Sequence, residues 1–118
     1  MPKRTDDLLV DDMIESCGRI FEYTHGLSYN DFINDQKTAD AVVRNFEILG
    51  EASRMISKEI KEKYPGIEWR KIGDFRNVLI HDYFGINYKI IWKIIENDLT
   101  LQMKLLVELL NKIKPDTR

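Results

Sequence analysis

The sequence predicts an all-α fold, a bundle of about four to five helices. Three observations carry this. Apolar residues recur at spacings of three and four along most of the 118 residues, no stretch alternates apolar with polar as a half-buried strand would, and Gly26, Pro65-Gly66 and Gly85 fall between the periodic segments. An apolar fraction of 43% is enough for a core in a chain of this length. A single domain is expected over residues 1–114, with residues 115–118 as a frayed tail. No internal repeat or low-complexity segment interrupts it.

The first helix is predicted from Asp6 to Thr24, where Leu8, Leu9, Met13, Ile14, Cys17, Ile20 and Phe21 share one side. Thr5 is its expected N-cap, Asp6 and Asp7 suit the positive end of the helix dipole, and Gly26 stops it. Polar residues then mark a loop from Leu27 to Gln36, with one short helix at Tyr29 to Ile33. A long helix is predicted from Thr38 to Lys63, ended by Tyr64-Pro65-Gly66, because proline lacks the amide donor and disfavours helical backbone before it. Trp69, Ile72, Phe75, Val78 and Leu79 predict a further helix running to Asp82, with Gly85 as its stop.

The last helix is predicted from Tyr88 to Ile113 behind an Asn87 cap. Ile91, Ile95, Leu99, Leu106 and Leu109 lie on one side, with Trp92, Met103 and Leu110 rotated away. Two apolar faces call for a central position in the bundle or for a second chain.

The balance of charges excludes some functions. A formal net charge of -2 is unlike the broad basic footprint of a duplex-DNA binder, so any nucleic-acid contact is expected to be local. No apolar run spans a bilayer and the N-terminus is charged, which predicts a soluble, cytoplasmic protein without a membrane partner. The single cysteine, Cys17, is expected to act as a small hydrophobe, and His25 to be solvated in a turn. One cysteine and two separated histidines form no recognisable ligand set, so neither a metal nor any other cofactor is expected.

Chemistry concentrates at Arg76 and His81. Histidine titrates near cellular pH, and arginine keeps its charge while presenting a planar fork of donors that fits phosphate oxygens. Metal-independent phosphodiester cleavage needs that pair: His81 would take a proton from a ribose 2′-hydroxyl, and Arg76 would stabilise charge on the phosphorane oxygens. On one continuous helix the two are about 140° apart, so one chain presents an incomplete site that a two-fold pairing of chains could complete. Asn77, at i and i+4 with His81, and Asp82 are the expected supporting residues that orient and tune the imidazole. A purely structural role would instead pair Arg76 with Glu51 or Asp82 and leave His81 at a helix end.

The segment Arg76-Asn77-Val78-Leu79-Ile80-His81-Asp82-Tyr83 fits Arg-x4-His-x-Tyr, and it follows Arg44-Asn45-Phe46-Glu47-Ile48-Leu49-Gly50-Glu51-Ala52 and Trp69-Arg70-Lys71-Ile72 in order. Over nearly its whole length the chain resembles the HepT branch of the HEPN superfamily, formerly a domain of unknown function. The resemblance implies a HEPN-type bundle forming a symmetric homodimer, with two Arg-x4-His motifs at one cleft. It further implies a metal-independent ribonuclease toxin of a type VII toxin-antitoxin system, with RNA as substrate. Arg76 and His81 match the catalytic pair, and Tyr83 matches the tyrosine that an MNT-type nucleotidyltransferase antitoxin adenylylates to silence the toxin. The rival expectation is a non-enzymatic subunit that holds a nucleotide or docks on a nucleotidyltransferase, which needs the arginine but no proton shuttle.

Overall fold

The computed structural model describes residues 4–80 and 85–114 and is all-α, with eight helices among the described residues. They are α1 (Asp6–Thr24), α2 (Tyr29–Ile33), α3 (Gln36–Met55), α4 (Lys58–Lys63), α5 (Trp69–Gly73), α6 (Phe75–Leu79), α7 (Tyr88–Asn97) and α8 (Leu99–Ile113). The long helices α1, α3 and α8 form the frame: α1 packs along α3 and against α8, and α5 and α6 pack on the C-terminal half of α3. Met13, Ile20, Phe46, Leu49, Ile91 and Leu106 are fully buried between them. Aliphatic and aromatic burial of this kind, worth roughly 1.5–3 kcal/mol per large side chain, is what holds short helices that would not persist alone.

The predicted elements exist, and three of the helices are interrupted, while the long one begins at Gln36 rather than Thr38. The Thr38 to Lys63 helix is broken: α3 ends at Met55, Ile56 turns extended and becomes buried, and Ser57 caps α4 by accepting from the Ile60 amide at 3.3 Å. The break is held from 51 residues away, because Asp6 accepts from both the backbone amide (2.9 Å) and the hydroxyl (2.7 Å) of Ser57. Within a continuous helix that amide would be committed to its own i−4 carbonyl. The Asp6 carboxylate thus does tertiary work beyond its place at the start of α1.

The Tyr88 to Ile113 helix is interrupted at Asp98, yet the Asp98 amide still donates to Ile94 (2.9 Å) and its carbonyl accepts from Gln102 (3.2 Å), so α7 and α8 meet at a kink. Its second apolar face is half-covered within the chain. Trp92 packs on Phe32 of α2 with ring centroids 5.1 Å apart, Met103 approaches Gly18 of α1, and Leu110 packs on the core. The central position thus accounts for part of the second face, while Leu101 and Val107 of α8 stay exposed. Asn87 caps α7 as expected, accepting from the Ile90 amide.

The Trp69 to Asp82 helix is interrupted at Asp74 and ends at Leu79. Ile80 is extended (φ -92°, ψ 127°) and pairs with Ile86 in an antiparallel bridge, and the Asn87 amide donates to the Leu79 carbonyl at 2.7 Å. Gly85 is thus no helix stop. Its φ of 81° lies where a side chain is strained, and it brings the chain back to that bridge.

Candidate active site

Arg76 is placed by its neighbours. On the short helix α6, Phe75 is buried edge-on against Phe46 of α3, with centroids 5.3 Å apart, and Leu79 is buried one turn later. Those two anchors leave Arg76 and Asn77 on the exposed side. The approach of α3 to α5 is unusually close: a Cβ at Gly50 would lie 3.0 Å from the Ile72 carbonyl oxygen. Glycine supplies the clearance, and the contact draws Arg76 up to the outer face of α3.

Together they form a cleft of about 390 Å³ lined by Glu47, Glu51, Arg54 and Met55 of α3, by Gly73, and by Arg76. Glu47, Gly50, Glu51 and Arg54 stand at i, i+3, i+4 and i+7, so one polar helical stripe faces the arginine. That spacing was the available signal for Arg54 and Glu47, which a search for apolar stripes passes over. Glu51 lines the same cleft as Arg76, but among the described residues no ion pair holds the guanidinium. A charged fork open to solvent and backed by a rigid helix pair can accept a phosphate.

His81, Asp82 and Tyr83 lie outside the described residues. The helical register expected to bring Asn77 and His81 onto one face ends at Leu79, two residues before His81, so the i, i+4 argument for Asn77 does not hold. The Asn77 amide instead donates to the Asp74 carboxylate at 2.6 Å. What the fold supplies is an anchor next to the helix that carries Arg76: Ile80, one residue before His81, is paired with Ile86.

The remaining titratable candidates are settled by burial. Cys17 is 1% exposed, and desolvation pushes its thiol up to about 12, so it remains protonated and cannot serve as a nucleophile at neutral pH. His25 is exposed at the end of α1. Among the described residues, no three His, Cys, Asp or Glu side chains converge as a metal site, and no helix is long and apolar enough to cross a membrane.

Comparison with known proteins places the chain in a family. A Methanocaldococcus jannaschii protein named "Putative RNase" is 43% identical over 98 residues, covering 83% of this chain and 90% of its own length. A Caldanaerobacter subterraneus protein, also named "Putative RNase", is 38% identical over 86% of this chain and 91% of its own. A Thermococcus cleftensis protein named "Probable ribonuclease HepT" is 38% identical over 82% of this chain and 88% of its own. No solved structure matches the chain significantly. The sequence profile described as ribonuclease HepT-like matches residues 13–113, which takes in α3, the cleft and the whole Arg-x4-His segment, and so the chain belongs to the ribonuclease HepT-like family.

Proposed function

We propose that this protein is a metal-independent endoribonuclease, the toxin of a type VII toxin-antitoxin pair, and that Arg76 and His81 are its catalytic residues. The observation that carries the reading is Arg76 itself: a permanent cation, exposed in a cleft on a rigid helix pair, in a chain of the ribonuclease HepT-like family. His81 removes the proton from a ribose 2′-hydroxyl, and the 2′-oxygen attacks the adjacent phosphorus. The bond to the 5′-oxygen breaks, and that oxygen takes a proton from a second acid, leaving a 2′,3′-cyclic phosphate and a 5′-hydroxyl. Arg76 stabilises the charge that builds on the non-bridging oxygens. In a homodimer the second acid is the other chain's His81. Asn77 and Asp82 are proposed to orient and tune the imidazole, Asn77 by way of its bond to Asp74 rather than by helical register.

Silencing is proposed at Tyr83, whose phenolic oxygen would attack the α-phosphorus of ATP in the active site of an MNT-type nucleotidyltransferase, with pyrophosphate leaving. The AMP then competes for the donors of Arg76.

The direct test is cleavage of RNA by the purified protein in excess chelator, with product ends identified. Arg76→Ala and His81→Ala are expected to retain the parent's circular dichroism and to lose activity, since a positioned imidazole alone is worth about 10²–10⁴ in rate. Cleavage abolished by chelator, or undiminished in both variants, overturns the assignment.

A further inference from the structure

We propose that the groove adjoining the Arg76 cleft is a track for the backbone of single-stranded RNA, with Arg54 and Arg70 as its phosphate contacts and Arg54 as the positioning residue that aligns the strand toward Arg76. The proposal rests on the ribonuclease reading for the identity of the substrate. The groove itself is large, about 1030 Å³, and runs between the end of α3, Lys61 of α4, the segment from Pro65 to Glu68, and α5. Arg54 and Gly73 line both this groove and the Arg76 cleft, so the two spaces adjoin along these residues.

Arg54 bridges them because of a missing side chain. A Cβ at Gly73 would lie 3.2 Å from Arg54 Cγ and 3.9 Å from its Nε, so the arginine stem lies flat across the glycine and its guanidinium reaches the junction. A terminal cation on α3 suits the helix dipole wherever its side chain points, but dipole complementarity gives no reason for the stem to lie across α5.

The charges are unequal in a way the whole chain is not. Arg54, Lys61, Arg70 and Lys71 line the groove against Glu68 and Asp74, whereas the chain as a whole is net -2. Lys71 is within 3.6 Å of both Glu68 and Asp98, and Lys61 donates to the Arg54 carbonyl at 3.4 Å. Among the described residues no ion pair occupies Arg54 or Arg70, and both are exposed. Two guanidinium forks beside a third at Arg76 are suited to successive phosphates of one strand.

Bases find no platform here. Trp69, the groove's one aromatic among the described residues, is 6% exposed, and its indole N–H donates to the Tyr64 carbonyl at 3.0 Å. The track therefore holds backbone and tolerates sequence.

The test uses the full chain and a short 2′-O-methyl oligoribonucleotide, which binds but has no 2′-hydroxyl to react, with affinity measured against salt. Each single-strand phosphate contact contributes about -0.7 to the slope of log K against log salt, so Arg54→Gln with Arg70→Gln is expected to flatten the slope by about 1.4. Arg54→Lys with Arg70→Lys is expected to keep it. Lys89→Gln with Lys93→Gln, an equal charge loss on exposed residues of α7, is expected to leave it unchanged. On the cleavable ribo-oligonucleotide, Arg54→Gln is expected to raise KM and spare kcat. A parent protein that does not bind the probe, a Gln pair with the parent's slope, or an α7 pair that flattens it equally overturns the track. A parent that binds with the Arg54- and Arg70-dependent slope yet leaves ribo-oligonucleotide intact overturns the ribonuclease reading and supports the track.

Discussion

Arg76 and Cys17 show how the same fold exposes one reactive side chain and disables another. Arg76 projects from a helix of five residues whose neighbouring positions, Phe75 and Leu79, are buried, so its outward direction is set by packing on both sides of it. Cys17 points into the α1–α3–α8 core, where desolvation pushes its thiol from 9.0 up to about 12. The folded chain then retains a proton that the unfolded chain releases. This contribution is fully present below about pH 9 and is lost as pH rises from there toward about 12. Cys17→Ala is expected to lose some packing at neutral pH and to show a shallower alkaline decline in Tm than the parent. An equally steep decline in both proteins would mean that the thiol does not contribute. At Tyr83 the expectation concerns regulation: incubation with the nucleotidyltransferase and ATP adds AMP mass to the peptide containing Tyr83 and stops cleavage, while Tyr83→Phe stays active. Modification mapped to another residue, or full silencing of the phenylalanine variant, removes Tyr83 as the switch.

Among the elements, the contact between α3 and α5 has the most to do with the site. Gly50 lets the two backbones approach and Gly73 leaves room for the Arg54 stem, and Glu47, Glu51 and Arg54 line one cleft with Arg76. In an isolated helix, Gly→Ala at position 50 would gain about 1 kcal/mol. Here the new methyl would meet the Ile72 carbonyl oxygen at 3.0 Å, on a helix anchored by the buried side chains of Trp69 and Ile72. Overpacking against fixed backbone costs roughly 1–3 kcal/mol, so a net loss of about 1 kcal/mol is expected for Gly50→Ala. Chemical denaturation measures it directly, and a variant more stable than the parent would show that the helices separate freely. Position 57 is governed by a different kind of contact. Ser57 is an adequate cap in isolation, but the helix breaks there because Asp6 also claims its amide and hydroxyl.

For the whole molecule, the distribution of charge and of exposed apolar surface matters more than the totals. A net charge of -2 coexists with the basic groove beside Arg76, which is how an acidic chain can meet a polyanion locally. Half-burial of Trp92, Met103 and Leu110 within the chain accounts for part of the second apolar face of α7 and α8. Another reason to expect a second copy stands near the cleft, where Met55 lines the space beside Arg76 and is 44% exposed, and Ile80, four residues beyond Arg76, is 43% exposed. A homodimer through this region is the expected arrangement, since it would cover both and bring two motifs together. Light scattering at micromolar concentration should give twice the chain mass, and Met55→Asp should shift the protein toward monomer. A parent protein that is monomeric and still cleaves RNA would remove the need for a composite site.

Composition and periodicity alone determine that this chain is helical, where its apolar stripes lie and that Asn87 caps a helix, whereas Arg76 and His81 stand out through their side-chain chemistry and the resemblance of their segment to the HepT branch. Those properties are local: they follow from bonds and side-chain neighbours within one or two turns, which a linear pattern records. Tertiary structure decided that α3 ends at Met55, that α6 stops at Leu79 short of His81, and that Arg54 crosses Gly73 to share a cleft with Arg76. Each of these depends on partners distant in sequence, Asp6 with Ser57, Leu79 with Asn87, Gly50 with Ile72. Helical spacing holds no record of such pairs, because a carboxylate at the first turn of one helix reads the same whether it serves its own helix or caps the break in another.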